Sequence, residues 1–407
     1  MRRLHLGPDG KIPSSTFSRL AANSPEGVLC SRLEVLRWDV EDIPGALPFF
    51  RLFIPPDLKL VSLYGPCTFD IPGVWLAGLV QIISILPTSL EGLAVMYGRG
   101  KEERLRDAVS AFICRCRPSL RVLRSCVPLS GAAIRRITQL PNLRSWAVAQ
   151  PPPPSIPPSP FPPLERLRFV GHEALPWLHL LASHEDGTVQ NGTAPVTPYT
   201  HVKESLRSLI CREATIINSA FLSSVLKFRN LAVLYVGTRC PTGGCTFHLT
   251  DDNVEKLVAG LPRLESLQLG IPCSLNSCNT TAASLLSIST HCPELTVLET
   301  HFNTITIVAN MRRLLDGGSG YDGAKCKVRN LMIARLPHEI DREYVEIVMR
   351  GFRTIFPCLM NLTDSDGRWY EVSSILHEVD GDTFGVGPGM FGLFPLGQLR
   401  VTGAEDL

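Results

Sequence analysis

Missing from this chain is any apolar run long enough to cross a bilayer. The longest, Val74 to Leu86, is broken by Gly78 and Gln81 and falls short of the ~20 residues a spanning helix needs. Missing too is the apolar stretch that a secretory leader carries behind a basic start such as Met1-Arg-Arg. Charge of one sign is not in excess, because 40 Lys and Arg face 38 Asp and Glu for a net charge of +2. Nucleic-acid binding concentrates positive charge on one element, and no such run occurs; the expected partners are proteins, with no nucleic acid and no membrane. No H-E-x-x-H, G-x-S-x-G or P-loop phrase is present, and His172, His184 and His201 are paired with no nucleophile by any recognisable pattern. The acid pairs Asp251-Asp252 and Asp364-Ser-Asp366 fall at a helix start and in a turn. Neither an enzyme nor a cofactor is expected. Cysteine is not scarce, but thirteen of them, an odd number spread along the whole length, suit reduced thiols better than a disulfide framework. The chain reads as cytoplasmic or nuclear and not secreted.

What is present is a recurring six-residue phrase, L-x-x-L-x-φ, with φ apolar or nearly so. It begins at Leu33, Leu58, Leu90, Leu120, Leu143, Leu164, Leu206, Leu231, Leu264, Leu295, Val328 and Leu359. From first to last is 359 − 33 = 326 residues over eleven steps, about 30 per repeat, close to the 20–29 of leucine-rich repeats. Alternate residues of a strand point to opposite faces. In LESLQL, Leu267 and Leu269 therefore face inward, Ser266 and Gln268 face out, and Leu264 anchors the turn before the strand. Between phrases lie helical patterns. In LTDDNVEKLVAGLPRLESLQL, Thr250 or Asp251 can cap a helix whose inner face is Val254, Leu257, Val258 and Leu261, and Pro262 ends it. One strand and one helix per repeat predicts an α/β leucine-rich-repeat solenoid. About twelve units would form a horseshoe with a parallel sheet on its concave side. Met1 to Leu6 already fits the strand phrase, so the array opens in mid-repeat and is expected to be incomplete, either because upstream residues are missing or, the preferred reading, because this is a truncated gene product.

The repeat domain is read as 1–378, with two irregularities inside it and a glycine-rich tail, expected to be disordered, over 379–407. Residues 150–163, QPPPPSIPPSPFPP, cannot join a helix or a sheet interior and read as a stiff connector replacing a helix, the other reading being a polyproline ligand. Residues 184–204 read as a polar surface loop. Gly387-x-Gly389-x-x-Gly392 has dinucleotide-fingerprint spacing but neither follows a strand nor opens a helix. Cys240 and Cys245, and Cys273 and Cys278, occupy matching positions on adjacent repeats, since 273 − 240 and 278 − 245 are both 33. Four such thiols can hold zinc or pair as disulfides, although the x₄ spacing is looser than a zinc knuckle and plain loop cysteines remain the default. Cys114-Arg-Cys116 is too tightly spaced for two ligands and reads as buried packing.

The lines FLSSVLKFRNLAVLYV, LTDDNVEKLVAGLPRLESLQLG and LSISTHCPELTVLET, with the ending GRWYEVSSILHEV, resemble the repeat region of fungal F-box leucine-rich-repeat proteins. The resemblance implies a substrate-recognition part of a receptor for a cullin–RING ubiquitin ligase. It implies a ligase adaptor as second partner only if an F-box lies upstream, since none precedes the first repeat here. The alternative is a free-standing repeat scaffold or regulatory binding protein with no ligase link. In either case the protein partner is expected on the concave face, at outward strand positions that include Arg37, Ser62, Arg124, Arg166, Arg168, Tyr235, Gln268, Glu299 and Met332. Arginine and tyrosine are common interface anchors, and Arg124, Arg166 and Arg168 can form a positive patch for an acidic or phosphorylated motif.

Overall fold

Most of the leucine phrases fold in the same way. A tight turn brings the amide of the first leucine onto a carbonyl three residues back, as in Leu33 to Cys30, Leu120 to Arg117, Leu231 to Phe228 and Leu295 to Cys292. That leucine is then buried, and a short strand follows. The computed structural model describes residues 2–6, 14–24, 27–39, 44–64, 73–96, 103–152, 161–170, 174–182, 200–211, 217–237, 249–270, 280–300, 307–316, 326–333 and 342–364. Its contacts divide the chain into two compact units. Unit 1 is Met1–His248 with Gly260–Leu264, and unit 2 is Leu249–Ala259 with Glu265–Leu407.

Among the described residues, unit 1 carries nine strands: β1 (Arg3–Leu6), β2 (Val35–Asp39), β3 (Leu60–Tyr64), β4 (Gly92–Met96), β5 (Val122–Ser125), β6 (Ser145–Val148), β7 (Arg166–Phe169), β8 (Ser208–Cys211) and β9 (Val233–Val236). They pair in sequence order, every pair parallel. The links between them hold α1 (Ser14–Ala22), a 3-10 segment Pro44–Phe53, α2 (Gly73–Ile85), α3 (Glu103–Arg115), α4 (Gly131–Ile137), α5 (Ala174–Ala182), α6 (Thr200–Ser205) and α7 (Ser219–Val225). Unit 2 has α8 (Asp251–Gly260), β10 (Ser266–Leu269), α9 (Ala282–His291), β11 (Val297–Thr300), α10 (Ile307–Asp316), β12 (Asn330–Ile333), α11 (Arg342–Ile355) and β13 (Asn361–Asp364). Its strands β10 to β13 are again parallel and in sequence order. Each unit is thus an α/β solenoid built on an open parallel sheet. The strand not counted among the twelve phrases is β1, formed by the incomplete phrase at the chain start. None of the described helices is long and apolar enough to cross a membrane.

One backbone pattern explains the regularity. Within each unit, the carbonyl just before a strand accepts two successive amides from the next repeat. Glu34 O receives Lys59 N and Leu60 N, Glu91 O receives Arg121 N and Val122 N, and Thr296 O receives Arg329 N and Asn330 N. Parallel register is thereby set at every strand start, and the side-chain alternation follows from it. Leu36, Leu63, Leu93, Leu123, Leu167, Leu209 and Leu234 in unit 1 all point into the core, as do Leu267, Leu298 and Leu331 in unit 2. Each contributes roughly 1.5–3 kcal/mol from removing its apolar surface from water.

Helix starts are capped by side chains. Ser130 accepts from Ala133 N at 3.2 Å ahead of α4, and Asn218 accepts from Phe221 N at 3.0 Å ahead of α7. At α8, Thr250 Oγ1 accepts from Asn253 N at 3.3 Å while Asn253 Oδ1 accepts from Thr250 N at 3.2 Å. The expected inner face of α8, Val254, Leu257, Val258 and Leu261, is buried throughout. In α11, Gly351 lies so close to α10 that a Cβ there would meet Met311 Cγ at 2.8 Å, which explains a glycine in mid-helix despite its low propensity.

The link between β6 and β7 departs from the pattern. Its described residues, 149–152 and 161–165, contain no helix, as expected of prolines that lack the N–H a helix needs. Both ends are anchored. Gln150 Nε2 donates to Leu129 O at 2.7 Å, its Oε1 accepts from Leu129 N, and its own carbonyl accepts from Trp177 Nε1 at 2.5 Å. At the far end Phe161 is buried against Trp146 and Trp177, with ring centroids 6.1 and 6.3 Å away. The central prolines lie outside the described residues, as do most of the 184–204 segment, the 379–407 tail with its glycine spacing, and Asp366.

Candidate partner-binding face

Strands β2 to β9 present a second surface of unit 1, opposite the buried leucines. The register places Arg37, Ser62, Ala94, Arg124, Ala147, Arg168, Ile210 and Tyr235 in one row across it. Two residues earlier on each strand runs a parallel row that includes Gly92, Val122, Ser145 and Arg166. The expected residues Arg37, Arg124, Arg166 and Arg168 therefore share one sheet face. Arg124 and Arg168 are separated only by Ala147.

The electrostatics of this face are uneven. Just before the strands, acids and bases alternate and pair across neighbouring repeats: Glu34 with Lys59 at 3.5 Å, Glu91 with Arg121 at 3.8 Å, and Glu165 with Arg144 at 3.6 Å. These pairs are exposed, so each contributes at most ~1 kcal/mol, but they neutralise one another. On the strands themselves, the outward positions of β3 to β9 carry three arginines and no acid. Among the described residues, no carboxylate lies within ion-pair distance of Arg37, Arg124 or Arg166. Arg37 instead sets its guanidinium over the Tyr64 ring, 4.6 Å from the centroid, a cation–π contact of about 0.5–1 kcal/mol. Arg124 is half-buried. Desolvation holds its guanidinium below the ordinary arginine value, the Tyr64 hydroxyl acts against this, and the like charge of Arg166 adds to it. Arginine remains protonated even so, and Arg124 is therefore a desolvated cation close to a second one.

Tyr64 was not among the expected face residues. β3 extends beyond its six-residue phrase, and Tyr64 continues the outward parity of Leu60 and Ser62. Carrying the alternation one step past the phrase would have found it. Tyr235 occupies an outward position of β9, opposite Ile210, yet is only 4% exposed; outward parity does not make a side chain accessible. In unit 2, Gln268 Nε2 donates to Glu299 Oε1 at 2.8 Å, and Met332 follows Glu299 in register. Those two polar side chains satisfy each other within the sheet.

The four cysteines 240, 245, 273 and 278 lie outside the described residues, as do His172 and His184. Among the described residues, no group of three or more His, Cys, Asp or Glu could hold a metal ion, and no disulfide joins the eight described cysteines. Cys116 is buried as expected, just after α3 ends at Arg115, but Cys114 lies exposed in the last turn of that helix. Burial pushes the Cys116 and Cys292 thiols up to about 12, and those of Cys211 and Cys326 also rise. Iodoacetamide at pH 8 should therefore modify Cys114 and Cys358 and spare Cys116, Cys211, Cys292 and Cys326, read by peptide mass mapping. The same shift has a thermodynamic sign. Above the ordinary thiol value of 9.0, the unfolded chain gives up these protons and the folded one keeps them. Stability drawn from them therefore falls as pH rises toward 12.

No family model matches the chain and no curated protein matches it, so its function has to be argued from the chemistry of this face.

Proposed function

We propose that this chain is an intracellular leucine-rich-repeat interaction module, cytoplasmic or nuclear, that serves as the substrate-recognition part of an F-box-type receptor for a cullin–RING ubiquitin ligase. The observation that carries the binding half is the outward sheet face of unit 1, where Arg37, Arg124 and Arg166 have no carboxylate partner among the described residues. Charged side chains that a fold leaves uncompensated on an accessible face raise association rates and select complementary partners. The ligase half rests on the resemblance of the repeat lines to F-box leucine-rich-repeat proteins.

The test is affinity purification with quantitative mass spectrometry, comparing the wild-type chain with a double variant, Arg124→Glu and Arg166→Glu. The expected result is a small set of proteins lost together in the variant, with a cullin–RING adaptor recovered by both. Loss of the set without any adaptor identifies a free-standing scaffold. An identical protein set for both chains removes the face as the binding surface.

A further inference from the structure

The outward face of unit 1 has a distinctive floor around Arg124. The first two outward positions on each flanking strand are small: Gly92 and Ala94 on β4, Ser145 and Ala147 on β6. Ala94 and Ala147 are each only 1% exposed, so longer side chains close over them. Beyond β6, at about twice the 4.8 Å strand spacing, β7 carries Arg166 and Arg168 at the same two levels. Arg124 and Arg166 thus stand on one face, either side of the small residues Ser145 and Ala147 of β6, with Arg168 beside them on β7. No acid occupies an outward position from β3 to β9. Arg124 makes no hydrogen bond or ion pair among the described residues, and Arg166 is near enough to oppose its charge.

We propose that this face holds the phosphoryl group of a phosphorylated peptide, between Arg124 on β5 and Arg166 on β7. The inference rests on the reading of this face as the binding surface and names its ligand chemistry. Repulsion between two neighbouring cations, one of them desolvated, is relieved more by a dianion than by one carboxylate. The guanidinium fork matches phosphate oxygens two at a time. A peptide fits better than a nucleic acid because Glu34, Glu91 and Glu165 alternate with Lys59, Arg121 and Arg144 just before the strands. That mixed row repels a continuous polyanion and accepts a chain with one phosphate among neutral or mixed residues. The net charge of +2 likewise provides no long-range field for a polyanion.

The test uses the full chain and fluorescein-labelled degenerate peptide pools with a central phosphoserine, serine or glutamate, read by fluorescence anisotropy. A single-stranded RNA pool is run beside them. The phosphoserine pool should bind more tightly than either other peptide pool, on the order of ten-fold or more, the scale of one lost charge-assisted contact. Arg124→Gln and Arg166→Gln should each abolish most of that preference, and Arg121→Gln, whose side chain pairs with Glu91, should leave it unchanged. If Arg124→Gln melts at a lower temperature than the wild type, Arg124→Lys keeps the charge and the stem and should still lose most of the preference with the fork. Equal binding of the three peptide pools, tighter binding of RNA, or an equal loss in Arg121→Gln overturns the proposal. Should the phosphate preference be absent while the doubly reversed variant still loses its cellular partners, the phosphopeptide inference falls and the binding-face reading stands. Retention of those partners as well would remove both.

Discussion

Replacing Trp146 with alanine should destabilise unit 1 by about 3–5 kcal/mol, the range for removing a large buried aromatic side chain. Trp146 points inward from β6 between Leu123 and Leu167. Its ring meets Trp177 edge-on at 5.0 Å and stacks beside Phe161 at 6.1 Å. The effect should exceed that of a leucine in the same sheet because the indole is larger and packs against two further aromatic rings. The aromatic trio and Gln150 hold β6, α5 and both ends of the proline connector together. Repeats contact mainly their neighbours, so the damage should be local. Hydrogen exchange read by mass spectrometry should speed up across residues 145–152 and 161–170 while β2 and β3 keep their protection. Uniform loss of protection along unit 1 would mean that the trio is not a local clamp. Trp146→Phe supplies the contrast. The indole Nε1 is buried with no hydrogen-bond partner among the described residues, an arrangement that costs about 1–3 kcal/mol in desolvation. Phenylalanine loses some packing area and removes that penalty, so its net effect should stay within about 1 kcal/mol of zero.

The second large effect is expected at Asp251. Its carboxylate accepts from Thr281 N and Thr281 Oγ1, both at 2.7 Å, and from Ser284 Oγ. Thr281 in turn caps α9 by accepting from Ala283 N at 3.2 Å. Asp251→Ala removes an acceptor of three hydrogen bonds and leaves a backbone amide half-buried without its partner. Hydrogen bonds to a charged group contribute about 1.5–3 kcal/mol each net of water; these three share one carboxylate in a half-buried site that water can partly refill, and a loss of about 2–3 kcal/mol is expected in urea titrations of unit 2. Asp251→Asn keeps the shape and one acceptor oxygen and should retain a substantial part of that stability. A loss below about 0.5 kcal/mol for the alanine variant, the level of an ordinary surface change, would show that water replaces the carboxylate.

Asp251 also marks a limit of reading by pattern. Thr250-Asp251 before an apolar helical face reads as a cap for α8, and Thr250 performs that role through Asn253. Asp251 turns to the next helix instead, 30 residues along the chain. A cap on its own helix is a local relation that residue spacing records. A carboxylate reaching the adjacent repeat depends on the distance between two stacked helices, which nothing in the spacing of the residues encodes.

The same division runs through the whole molecule. Inward and outward strand residues, the buried anchor leucines and the inner face of α8 were all readable beforehand, because strand and helix periods are properties of consecutive residues. The six-residue phrase also carried the parallel order, since each phrase repeats the same turn and can pair only with a copy of itself one repeat away. Proline chemistry alone predicted no helix in the 150–163 link, and its described ends, 149–152 and 161–165, contain none. Which outward side chains stand together was a different matter. Arg124 is flanked in register by Gly92, Ala94, Ser145 and Ala147, and its electrostatic neighbours Tyr64 and Arg166 come from strands on either side. Tyr235 has the right parity and is nonetheless covered. Burial and electrostatic proximity on a sheet are set by cross-strand neighbours many residues away, so they exist only once the repeats are stacked.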